Sequence, residues 1–139
     1  MAPPNTFDEW MKLSKERQAD AKAMLEDRKE SIGPVYMAGY AVETSLKALL
    51  RKKNKEFPKS GAEGHNLKNL WHESGFRLGD IKDKRGEKSF FISEWGTHLR
   101  YEISLPSAYD SATLVKAAGD LSSWIQKQIR RSKSKRGKL

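Results

Sequence analysis

Gly39-Tyr40-Ala41-Val42-Glu43-Thr44-Ser45-Leu46-Lys47-Ala48-Leu49-Leu50 is the stretch that decides the fold. It lies inside a helix predicted from Pro34 to Lys53. Proline at the first helical position loses only an N–H that has no intrahelical partner, so Gly33-Pro34 is a start signal. Val35, Ala38, Gly39, Val42, Leu46, Leu49 and Leu50 recur at helical spacing and form one apolar stripe. Beside it runs a second stripe, Tyr36, Tyr40, Glu43 and Lys47, at intervals of four, three and four. The small residues Ala38, Gly39 and Ala41 allow a neighbouring helix to approach. This is the pattern of a bundle's central helix with a polar ridge along its edge.

Helices are expected on both sides of this one. Toward the N-terminus, Thr6 to Arg28 opens with a capping-box pair, Thr6 and Glu9, and Asp8 and Glu9 suit the positive end of the helix dipole. Phe7, Trp10, Leu13, Ala21, Met24 and Leu25 share a face with Arg17 and Arg28. Those arginines read either as snorkelling edge residues or as inward cations at a cleft or dimer interface. Toward the C-terminus, a polar loop over 54–64 precedes a short helix from His65 to Ser74, ended by Gly75. Arg77 to Ser89 reads as a solvated connection able to act as a flap. A fourth helix is predicted from Ser89 to Glu102 on the stripe Ile92, Trp95, Leu99 and Ile103. Leu105-Pro106-Ser107 breaks the pattern, and a last helix runs from Ser111 to Arg131 on Leu114, Ala118, Leu121, Ile125 and Ile129. The expectation is all-α: an antiparallel up-down bundle of four long helices plus one short helix. One domain spans 1–131, followed by a disordered basic tail over 132–139.

Composition sets limits. A chain of 139 residues suits one domain with a real core. With no cysteine there is no disulfide, thiolate metal site or cysteine nucleophile, and a reducing, cytoplasmic setting is permitted. No apolar run approaches the roughly 20 residues of a membrane span, and Met1 to Asn5 do not read as a signal peptide. The net charge is +9, and Arg130, Arg131, Lys133, Lys135, Arg136 and Lys138 supply six of those charges with no acid among them. The tail reads as a solubilising terminus or as a contact for a phosphate backbone.

The chain resembles the HEPN domain (higher eukaryotes and prokaryotes nucleotide-binding). The likeness lies in Ala38-Gly39-Tyr40-Ala41-Val42-Glu43 with Leu46 to Leu50 one turn on. Gly64-His65-Asn66-Leu67 follows, then Trp95 with Leu99-Arg100-Tyr101, then the closing amphipathic helix. The resemblance implies a helical bundle that dimerises, here through the central and fourth helices. It implies a role around nucleotides or RNA, often beside a nucleotidyltransferase in toxin–antitoxin or defence systems. Many members are metal-independent ribonucleases whose signature is Arg followed after four to six residues by His. After Arg100 those positions hold Leu105, Pro106 and Ser107. The expectation is therefore non-catalytic nucleotide or RNA binding, with a rearranged ribonuclease (Arg100 with His98 or His65) and a protein-interaction module as alternatives.

The candidate binding residues are Tyr40, Glu43, Lys47, His65, Arg100 and Tyr101, with the basic tail. Each has a plainer reading. Glu43 and Lys47, with the acid on the N-terminal side, have the spacing of a helix-surface ion pair worth about 0.2–0.5 kcal/mol. Arg100 suits a helix C-terminus, and Tyr101 suits a core. His65 starts a helix and can meet an anion there. His65, His72 and Glu73 lack the defined ligand spacing of a metal site. His98 reads as a partly buried histidine. Trp10, Trp71, Trp95 and Trp124 read as core. No Walker-type loop or nucleophile elbow is present, and no cofactor is expected.

Overall fold

The computed structural model describes residues 4–57, 64–83, 85–105 and 109–137, with side chains described as far as Ile129. Among the described residues five α-helices have defined bounds, in order: α1 (Phe7–Asp27), α2 (Gly33–Lys52), α3 (Leu67–Glu73), α4 (Glu87–Ser93) and α5 (Ser111–Gly137). Two 3-10 turns, Leu78–Asp80 and Thr97–Tyr101, flank α4. There is no strand among the described residues.

The capping box that starts α1 is formed: Glu9 N donates to Thr6 Oγ1 at 3.2 Å and Thr6 N to Glu9 Oε1 at 3.1 Å. That contact holds the Glu9 carboxyl below its ordinary range, the Thr6 side-chain hydrogen bond being the main cause. α1 packs on α2 through small residues. Ser14 Oγ donates to the Ala41 carbonyl at 2.8 Å and lies 2.7 Å from Ser45 Oγ, so two buried hydroxyls are satisfied across a close helix–helix contact. The buried face of α1 is Trp10, Ser14 and Ala21, whereas Met24, expected in the apolar stripe, is exposed. The predicted stripe of α5 holds: Leu114, Ala118, Leu121, Ile125 and Ile129 are all buried.

α2 is the centre of the molecule. Every residue from Ala41 to Leu50 is buried within the chain. That half of the helix therefore has no free face for a second copy; elsewhere on α2, Gly33, Tyr36, Met37, Tyr40, Arg51 and Lys52 are half-buried. Gly39 is required by close approach. A Cβ there would lie 1.9 Å from Trp95 Cε2 and 2.1 Å from Trp95 Nε1, because the indole lies directly on the helix backbone.

Three expected boundaries change. The short third helix is capped by Asn66, whose side chain accepts Asn69 N at 3.1 Å, so His65 lies before the helix rather than at its start. The single fourth helix over 89–102 is two pieces. α4 stops at Ser93, with Glu94 N and Trp95 N both donating to the Phe90 carbonyl, and the chain turns through extended Gly96 into Thr97–Tyr101. The stripe of Ile92, Trp95 and Leu99 is buried as expected, but Ile103, its fourth member, is 95% exposed. Breaking the helix lets Phe90, Phe91, Ile92, Trp95 and Leu99 all reach the core, more than one straight helical face can bury. Among the described residues the bundle thus has three long helices, and the expected fourth long one is short. Lastly, the end expected at Arg131 is passed: α5 stays helical through Gly137, so the residues read as a disordered tail are helical up to that point. Ser, Lys and Arg are tolerable helix formers, and cations favour a helix C-terminus.

In the charged connection before α4, residues 77–80, Lys82 and Arg85 are exposed, as expected, but Ile81 packs against the core and Asp83 is held by hydrogen bonds. Asp83 accepts Lys88 N at 3.2 Å and Ser89 N at 2.8 Å, which satisfies two orphan donors of α4's first turn. Burial alone would raise the Asp83 pKa. The hydrogen bonds from Ser89 and Lys88, with the Lys88 charge, outweigh it and hold the group below its ordinary range. No helix among the described residues is long and apolar enough to cross a membrane.

Candidate functional site

The polar ridge of α2 points into the protein. Lys47 Nζ meets Glu43 Oε2 at 3.2 Å, and the two side chains are only 1% and 4% exposed. The surface ion pair suggested by the spacing is thus a buried pair. The fold encloses it from two sides. Trp10 of α1 places its indole 5.2 Å from the Lys47 ammonium and itself packs edge-on against Phe57, centroids 5.9 Å apart. From the segment before α3, His65 Nδ1 lies 2.7 Å from the other oxygen of Glu43. Each carboxylate oxygen therefore has its own partner, which buried charge requires. His65 is 30% exposed, which leaves part of its ring open to solvent.

Next along the ridge are the two phenols. Tyr36 and Tyr40 share a hydrogen bond of 2.7 Å between their hydroxyls. Both rings pack on Trp95, with centroids 6.1 and 5.3 Å away, and Tyr40 also meets His65 edge-on at 5.6 Å. Burial, reinforced by the Tyr36 hydrogen bond and by the charges of Tyr36 and Glu43, raises the Tyr40 phenol well above its ordinary value. The Arg100 charge acts in the opposite sense. Tyr40 is therefore a neutral hydrogen-bonding group at any ordinary pH.

A cleft of about 380 Å³ opens over this cluster, lined among others by Trp10, Leu13, Arg17, Met37, Thr44 and His65. It is mostly apolar, with a few polar groups converging on its floor, the form of a small-molecule site. Two of its lining residues carry buried donors with no hydrogen-bond partner among the described residues, Trp10 Nε1 and Arg17 Nε. Arg17 also pairs with Asp20 at 3.4 Å.

Of the candidate residues, Tyr40, Glu43, Lys47 and His65 come together here. Arg100 is exposed with its guanidinium 4.9 Å from the Tyr101 ring; its charge acts on Tyr40, but it does not line the cleft. Tyr101, expected as core or stacking platform, is 77% exposed. His98 is exposed rather than partly buried. His72 and Glu73 lie exposed on α3, and no three His, Asp or Glu side chains among the described residues are grouped to hold a metal. The side chains of Arg130, Arg131, Lys133, Lys135, Arg136 and Lys138 fall outside the described residues. Arg17 combines its two readings: its Nε is buried at the cleft, while Nη1 reaches out to Asp20 at 3.4 Å as a snorkelling residue does; Arg28 is exposed. Trp10 and Met37 were not singled out for the site, although Trp10, Leu13 and Arg17 follow one another at helical spacing on α1.

The sequence profile of the HEPN domain matches residues 7–129. This chain belongs to the HEPN domain family. Among solved structures, that of an archaeal HEPN homologue is similar, with a TM-score of 0.58 at 14% identity over 91% of this chain and 99% of the other. At that identity the likeness concerns the fold. No curated protein matches this sequence.

Proposed function

We propose that this HEPN domain is a non-catalytic binder of nucleotide or RNA phosphates, with the cleft over α2 as its binding site. One observation carries the reading: Tyr40, Glu43, Lys47 and His65 converge on a cleft also lined by Trp10 and Arg17, whose buried Nε1–H and Nε–H have no partner among the described residues. A donor-rich cleft suits an acceptor-rich ligand. Arg17 and the open part of His65 are the groups for phosphate, and Trp10, Met37 and Tyr40 are the surfaces for a base. Lys47 has a different task from the one its type suggests. It neutralises Glu43, which in turn orients His65. Arg100 with Tyr101 and the basic run after Ile129 extend the contact to a longer strand. A second copy meeting the exposed Tyr101 and Ile103, and a nucleotidyltransferase partner in a toxin–antitoxin or defence setting, belong to the same reading.

A second reading, a metal-independent ribonuclease, is favoured by the 2.7 Å Glu43–His65 contact, since a carboxylate that fixes one ring nitrogen readies the other for proton transfer. The experiment that separates them is incubation of the purified chain with structured RNA in chelator, with nucleotide and RNA affinities measured alongside. Binding without cleavage, weakened in His65→Ala and Arg17→Ala, supports the first reading. Cleavage lost in His65→Ala supports the second.

A further inference from the structure

A second groove, of about 330 Å³, lies between the outer faces of α1 and α5 and shares no lining residue with the α2 cleft. Its rim carries Lys15 and Lys22, both exposed and neither in an ion pair among the described residues. Its walls are small or neutral polar residues, among them Gln18, Gly119, Ser122 and Gln126, and no carboxylate lines it. At its floor Ser122 is 5% exposed, and its hydroxyl has no hydrogen-bond partner among the described residues. Gln18 donates its Nε2 to the Val115 carbonyl at 3.3 Å, which fixes the amide's orientation and leaves Oε1 buried without a donor among the described residues. Gly119 makes room for this amide: a Cβ there would sit 2.8 Å from Gln18 Nε2.

We propose that this groove binds a sugar phosphate, either as a free pentose phosphate or nucleotide or as a unit of an RNA strand. Two unpaired cations with no competing acid select an oxyanion. The Ser122 hydroxyl, one rotatable bond from the backbone, supplies a donor to it. Gln18 Oε1 is an acceptor that would repel bare phosphate oxygens but suits a sugar hydroxyl, so the ligand carries both groups. Buried polar atoms left without partners are rare in folded chains and call for a ligand or a trapped water.

The test is backbone amide NMR on the full chain, titrated separately with ribose 5-phosphate and with an RNA octamer. The expected result is shifts at Gly119, Ser122 and Ser123 that persist in His65→Ala, which separates this groove from the α2 cleft. Lys15→Ala with Lys22→Ala weakens binding at those amides by about fivefold per lysine, the scale of an exposed charge pair. Both lysines are exposed, so the variant folds. Ser122→Ala also weakens binding, yet it leaves the melting temperature unchanged or raised, because it removes an unsatisfied buried hydroxyl. Response to ribose 5-phosphate identifies the free ligand, and response to RNA alone identifies the strand. Neither ligand moving those amides, or equal affinity in the double-lysine variant, overturns the proposal.

Discussion

Replacing Lys47 by Met tests whether the charge pair inside α2 is structural. Met keeps much of the lysine stem's volume and removes only the ammonium. In the native chain the pair is 3.2 Å apart and almost fully enclosed. Losing one member of such a pair leaves a buried carboxylate short of compensation, at a cost of about 3–5 kcal/mol. The contact of Lys47 with the Trp10 ring at 5.2 Å adds about 0.5–2 kcal/mol when desolvated. His65 remains on the other carboxylate oxygen at 2.7 Å and offsets part of the loss. The expected destabilisation is therefore near the lower bound, about 3 kcal/mol. A surface pair at the same spacing would give only about 0.2–0.5 kcal/mol. Glu43→Gln removes the opposing charge, so the double variant with Lys47→Met should recover about 2 kcal/mol of the single variant's loss. Urea unfolding followed by circular dichroism and tryptophan fluorescence measures all members of the cycle. A loss below about 0.5 kcal/mol for Lys47→Met, or simple additivity in the double variant, refutes the reasoning.

Gly39→Ala drives a methyl group into an indole that Tyr36 and Tyr40 hold in place. Expelling Trp95 costs about 3–5 kcal/mol, against about 1 kcal/mol gained from alanine in a helix, so urea unfolding should show a net loss of about 2–4 kcal/mol; unchanged stability would contradict the packing. Asp83→Ala removes the acceptor for Lys88 N and Ser89 N and should cost about 1 kcal/mol in the same assay. Because the folded Asp83 pKa is depressed, its contribution is present above the unfolded value of about 3.9 and is lost as pH falls through the lower folded value. The stability difference between wild type and Asp83→Ala should therefore narrow on acidification.

Much of the fold is legible in α2. A stripe of seven apolar or small residues, proline at its start and small residues along one edge are local signals, and all seven stripe residues are buried. The Thr6–Glu9 cap is equally local and equally readable. The break after Ser93 was hidden because Ile92, Trp95 and Leu99 keep helical spacing across it. Only the position of Gly39, more than fifty residues away in the chain, gives the Trp95 indole a reason to turn. The site follows the same division. The Glu43–Lys47 spacing is the same for a surface pair and a buried one. What buries it is Trp10 on α1 and His65 on a segment 22 residues away, and their placement is tertiary. Helical spacing puts Arg17 on the face of Trp10 and Leu13, but it does not say that this face borders a cleft.

The most direct test of the central claim is calorimetric titration of the intact chain with a ribonucleoside monophosphate and with a short RNA in chelator. Wild type, His65→Ala and Arg17→Ala would be compared, and the RNA checked for length afterwards. The account predicts binding by wild type, affinity reduced about tenfold or more in each variant, as for loss of a charge-assisted hydrogen bond, and intact RNA. Equal affinity in all three proteins would contradict it and remove the α2 cleft as the binding site.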